Sequence, residues 1–178
     1  MVATATTKMY TGAGPTESDL PSGNLRFCTS DDVNPGNNYP IPIPSASYNY
    51  SYCRSIAFYV SVAPDTSITG IYLYTDGTLG WGADIITYIG NQTPATYIQA
   101  TGTPGTTGTE MTAFYTGISS KSDFFGYNSG SPYGPITQIA TSGTGRYTNY
   151  VVLQVRVGTT ATSGAKTPET GTWKYNEV

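Results

Sequence analysis

The run Thr148 to Val157, Thr-Asn-Tyr-Val-Val-Leu-Gln-Val-Arg-Val, constrains the fold more than any other stretch of this chain. Its β-branched and aromatic residues lose side-chain freedom in a helix and fit a pleated strand. In extended backbone Tyr150, Val152, Gln154 and Arg156 share one face, while Val152 and Val155 point to opposite faces. Runs of the same kind occur at Arg54 to Val62, Ser67 to Thr75 (with Ile71 and Leu73 on one face), Asp84 to Ile89 and Thr170 to Val178. Turn formers separate them, as in Ala63-Pro64-Asp65-Thr66 and Asp76-Gly77. Asn24 to Thr29, Ala95 to Thr101 and Pro135 to Ala140 read as further strands, and Glu110 to Thr116 as a short strand or a single helical turn. No stretch carries a helical period with caps. About eight or nine strands at short spacing predict an all-β chain forming a single, jelly-roll-like β-sandwich.

The sandwich is expected over residues 24–178, preceded by an N-terminal arm or edge segment over 1–23. Pro40-Ile41-Pro42-Ile43-Pro44 must be extended, because a residue before proline is pushed out of the helical region. Its missing N–H groups make it an edge segment rather than a central strand. Residues 102–108, 119–135 and 159–169 read as loops. The second is long enough to be functional or ordered by a partner.

Charge narrows the function classes. Charged residues make up 11% of the chain, against roughly 25% in an average soluble domain. Eight Lys and Arg spread thinly leave no basic patch of the kind nucleic acid requires. No apolar run of about 18 residues suggests a membrane helix. The first residues lack the charged and apolar regions of a signal peptide. Either a signal was removed before this numbering or none was used; with extracellular-looking composition, the latter suits a virion protein made in the cytoplasm and released by lysis. The chain has no histidine, which removes the commonest acid–base group and every His-dependent triad. Its eleven carboxylates permit a glycosidase pair, but none lies in a recognisable motif. Phosphate-binding and nucleophile-elbow motifs are absent. The reading is a non-enzyme.

Cys28 and Cys53 lie 25 positions apart in strand-like segments, and a disulfide between them would contribute about 3 kcal/mol; two buried thiols are the alternative. Calcium, the one metal the residues allow, would find oxygen ligands at Asp31, Asp32, Asn34 and Asn37, or at Asp76 and Asp84. Turn residues bonded to their own backbone are the alternative. Tyr48, Tyr50 and Tyr52 alternate and would share one face. With Tyr127, Tyr133, Trp173 and Tyr175 they form the expected interface set, since tyrosine is enriched where subunits meet. The same residues would suit stacking on sugar rings.

Several phrases together carry a resemblance: Pro40 to Pro44 leading to Tyr50-Ser51-Tyr52 and Arg54-Ser55-Ile56; Tyr74 to Gly80; Gly105 to Met111; Asn149 to Gln154; Thr167 to Thr170; and the terminal Trp173 to Glu177. Over roughly residues 25 to 178 the chain resembles a family of small β-rich structural proteins of tailed archaeal and bacterial viruses and their proviruses. The resemblance implies a virion component and leaves open capsid decoration, head fibre or tail; capsid decoration or another exterior role is the specific expectation. Its partners would be copies of itself and other virion proteins, with no catalytic residues. Residues 1–23 and Thr170 to Val178 are the segments expected to be exchanged with or added to a neighbouring sheet edge. An extracellular filament or surface-layer subunit joined by strand exchange is the first rival. A carbohydrate-binding module is the second.

Overall fold

A computed structural model describes residues 2–114, 118 and 120–178. The chain is all-β. Among the described residues the strands are β1 (Thr4–Thr11), β2 (Thr16–Asp19), β3 (Tyr48–Tyr50), β4 (Arg54–Val62), β5 (Ile68–Tyr74), β6 (Ile85–Gln92), β7 (Gly102–Thr103), β8 (Thr107–Gly108), β9 (Ser122–Asp123), β10 (Gly145–Arg146), β11 (Tyr150–Gly158) and β12 (Thr172–Glu177). The longest of them, β4 and β11, combine β-branched with aromatic residues.

Eight strands form one antiparallel sheet in the order β2-β1-β4-β11-β6-β9, with β10 joined to β4 and β3 to β11. The second layer is the pair β12-β5, and β7-β8 is a small separate hairpin. Residues 1–23 supply β1, which is paired on both sides, and the edge strand β2.

Register fixes which side chains meet. Met9 opposes Ile56, Ile56 opposes Val151, and Leu153 opposes Ile89, so these five rise on one face of the large sheet. There they pack with Leu73 of β5 and with Phe124, Phe125 and Ile136. Farther along the same face Phe58 and Val60 meet Ile68 and Ile71, with Trp173 and Tyr175 of β12 closing over them. This is the inter-sheet core, and removing its apolar area from water contributes roughly 25 cal/mol per Å².

The opposite face is also buried. Tyr10, Ala57, Tyr150 and Val152 are covered by Ala100, Met111 and Ile118, with Tyr97 and Ile98 alongside. The excursion between β6 and β9 therefore acts as a roof. It is stitched down by Gln154, which is fully buried. Its Nε2 donates to the carbonyls of Ser51 and Thr109, each at 2.8 Å, and its Oε1 accepts the Met111 N–H at 2.8 Å. Close approach is possible because Gly108 has no Cβ, which would otherwise overlap the Ser51 carbonyl.

Three expected strands are absent as strands. Residues 24–29 form no ladder and are held by scattered hydrogen bonds: Arg54 Nε donates to the Arg26 carbonyl at 2.9 Å, the Tyr52 N–H to the Cys28 carbonyl at 2.8 Å and the Thr29 N–H to the Tyr39 carbonyl at 2.8 Å. Residues 95–101 begin in a 3-10 turn, Pro94–Thr96, and continue irregularly as part of the roof. Residues 135–140 make a single bridge, Gln138 to Thr148. The segment 110–116 holds one helical turn, Met111–Phe114; its residues 115 and 116 lie outside the described residues.

Candidate interaction surfaces

The expected interface tyrosines separate into outward and inward groups. Tyr48 is exposed, its ring 4.1 Å from the Arg156 guanidinium. Tyr50 is half-buried beside Lys121. Tyr52 corrects the expectation: it follows the alternation, but its end of the face lies under the β7–β8 hairpin and it is buried in the core. Trp173 and Tyr175 also point inward, edge-to-face against Phe58 with centroids 5.5 and 5.0 Å apart. Trp173 Nε1 donates to Thr7 Oγ1 at 2.9 Å, which fastens the terminal strand to β1. The outer edge of β12 carries the exposed Lys174 and a register irregularity before Asn176, two features that discourage strand addition.

The cysteines are a second correction. Cys28 and Cys53 are both buried and form no disulfide. Cys28 Sγ faces Arg54, whose Nη2 donates to it at 2.8 Å, while Cys53 belongs to the cluster under the roof. Arg54 is almost wholly buried, and its Nη1 donates to the Asp32 carbonyl at 3.0 Å. This guanidinium organises residues 26–32.

The proposed calcium carboxylates are dispersed among other hydrogen bonds. Asp31 Oδ2 accepts the Gly12 N–H at 2.9 Å and Gln99 Nε2 at 2.8 Å. Asp32 and Asp76 accept the N–H two residues on, from Asn34 and Thr78. Asp84 pairs with Arg156 at 3.5 Å and accepts from Thr160. No group of three or more metal-ligating side chains forms among the described residues.

Tyr127 and Tyr133 do come together, edge-to-face at 5.1 Å. They line a hollow of about 290 Å³ with Pro132, Gly134, Pro135 and Ile136. Gly134 allows the loop to pass β5, since a Cβ there would lie 3.0 Å from the Tyr72 ring. Sequence reasoning missed the neighbouring residues Tyr72 and Tyr74. They alternate with the buried Ile71 and Leu73 and therefore face outward from β5. The assignment of Ile71 and Leu73 to the core already contained that signal. Tyr74 lines a second hollow of about 410 Å³ with Asp76 and Glu169.

Another surface gathers where the termini meet. Val178 N–H donates to the Ser67 carbonyl, and the Thr66 and Ser67 N–H groups donate to the Val178 carbonyl. Ala3 N–H donates to Glu177 Oε1 at 2.7 Å, and Thr4 opposes Val62. Val2 (79%), Val62 (37%) and Val178 (69%) are consequently exposed together. Ile139 (47%) lies two residues before Thr141, whose carbonyl accepts the Ile68 N–H.

Burial raises the pKa of Tyr10, Tyr97 and Tyr133, the last to about 12; Tyr10 is raised further by its hydrogen bond to Glu17. All three stay protonated in the folded chain when the unfolded chain begins to ionise near pH 10. Above that pH the unfolded state binds fewer protons, so stability falls as pH rises. Urea midpoints should be flat with respect to these groups below about pH 10 and decline from there toward pH 12. An unchanged midpoint across that window would contradict the burial of these phenols.

No protein-family model, curated protein or solved structure matches this chain. No helix among the described residues is long and apolar enough to cross a membrane.

Proposed function

We propose that this chain is a non-catalytic structural subunit of the virion exterior, associating with copies of itself and with other virion proteins. The observation that supports this reading is the terminal end, where pairing brings the ends of β1, β4 and β12 together and leaves Val2, Val62 and Val178 exposed. Clustered exposed apolar side chains mark association surfaces, whereas scattered ones do not. A chain with only 19 formally charged side chains, eight basic and eleven acidic, has little electrostatic repulsion to keep such ends apart. The motif resemblance supplies the virion setting. The joint differs from the tyrosine set expected from sequence, because Tyr52, Trp173 and Tyr175 are spent on the chain's own core.

Sedimentation velocity over a concentration series tests this. The full chain is expected to associate into a defined species. A double variant, Val62→Lys with Val178→Lys, is expected to remain folded by circular dichroism and to sediment as a monomer. A wild-type chain that is monomeric at every concentration would overturn the reading, as would a double variant that associates equally well.

A further inference from the structure

We propose that the outer face of the β5–β12 sheet, with the two hollows beside it, binds a neutral saccharide. This surface is separate from the terminal end and does not rest on the assembly reading.

A pyranose ring offers a flat face of C–H groups and a rim of hydroxyls. Its site needs an exposed aromatic surface with hydrogen-bonding groups at the margin. Tyr72 and Tyr74, both half-buried, supply the aromatic surface on the outward side of β5. At the margin the larger hollow combines Tyr74 with Asp76, Glu169 and the hydroxyls of Ser129, Thr170 and Thr172. Each carboxylate is oriented by a backbone N–H: Asp76 Oδ1 accepts the Thr78 N–H at 2.9 Å, and Glu169 Oε1 accepts the Gly80 N–H, from a distant loop, at 2.7 Å. The second oxygen of each makes no hydrogen bond among the described residues and can accept from a sugar hydroxyl. The smaller hollow lies beside it, lined by Tyr127 and Tyr133 and reaching Asn91 of the large sheet.

The two hollows share the 127–133 loop as a wall, and that loop is anchored to β5. The Thr75 N–H donates to the Tyr127 carbonyl at 2.9 Å, and Leu73 and Tyr133 exchange backbone hydrogen bonds at 3.0 and 2.8 Å. The support is therefore built before any ligand arrives, which limits the ordering cost of binding. Charge selects the ligand class. Asp76 and Glu169 repel anions, and Lys174, opposite Tyr72 across the ladder, offsets only one of them. Uronates and nucleotides are disfavoured, and an uncharged, hydroxyl-rich ring fits.

Affinity electrophoresis in native gels containing a mannan, a β-glucan, a galactan or a xylan tests the proposal on the full chain. At least one of these neutral polysaccharides should retard the protein. Titration calorimetry with oligosaccharides of that polymer should show Tyr74→Ala binding about tenfold more weakly or worse. Glu169→Gln keeps the Oε1 acceptor for Gly80, so it should stay folded and still bind severalfold more weakly. Tyr48→Ala, on the other side of the molecule, should bind as wild type. No retardation by any of the four polymers overturns the proposal. So does binding that Glu169→Gln and a folded Tyr74→Ala leave unchanged.

Discussion

Phe58→Ala is expected to lower the unfolding free energy by about 3–5 kcal/mol, the range for emptying a buried aromatic site. Phe58 is 1% exposed and lies at the centre of the inter-sheet core. Its ring is met edge-to-face by Tyr147, Trp173 and Tyr175, with centroids 6.4, 5.5 and 5.0 Å away. Two of those partners belong to β12, whose backbone pairs only with β5. Truncation therefore removes apolar contact and loosens the terminal strand together. Urea unfolding followed by tryptophan fluorescence reads both effects, since Trp173 reports on the strand directly. A loss below about 1 kcal/mol would be at odds with a core that closes on this ring.

Gln154→Ala is the second large effect expected. It would leave the carbonyls of Ser51 and Thr109 and the N–H of Met111 without their partner. Each buried backbone group left unsatisfied costs about 1–3 kcal/mol. Local relaxation admits water to some of them, so a total of about 3 kcal/mol is expected. The loss should be directional. The roof, whose described residues include Tyr97, Ile98, Ala100, Met111 and Ile118, is fastened at this point, whereas the inter-sheet core on the other face is not. Amide exchange at Met111 should accelerate strongly, while exchange at Phe58 and Leu153 changes much less. Equal acceleration on both faces would contradict the role given to Gln154.

Local composition made the main strands legible. Where β-branched residues concentrate, as in Arg54 to Val62 and Tyr150 to Gly158, no competing backbone conformation is favoured, and the strands lie where the pattern places them. Failures came where a side chain replaces a ladder. Asn24 to Thr29 alternates like a strand, yet its carbonyl at Arg26 is taken by the Arg54 guanidinium. The roof was illegible for a related reason. Polar residues such as Gln92, Thr148 and Gln154 read as a solvent face, but they are buried. Gln154 is satisfied there by backbone groups more than forty positions away. Tyrosine was the least readable residue of all, because its ring suits a core and its hydroxyl suits a surface. Tyr52 and Tyr175 went inward, while Tyr72 and Tyr74, in a strand recognised for its other face, went outward.

The proposed assembly requires that copies of this chain meet at the terminal end. Hydrogen–deuterium exchange, read by mass spectrometry at protein concentrations below and above association, tests it most directly. The account predicts that amides of residues 2–5, 61–67 and 176–178 slow on association, while those around Tyr48 and in the β7–β8 hairpin do not change. Slowing confined to any other surface, or association with no slowing at the terminal end, would contradict it.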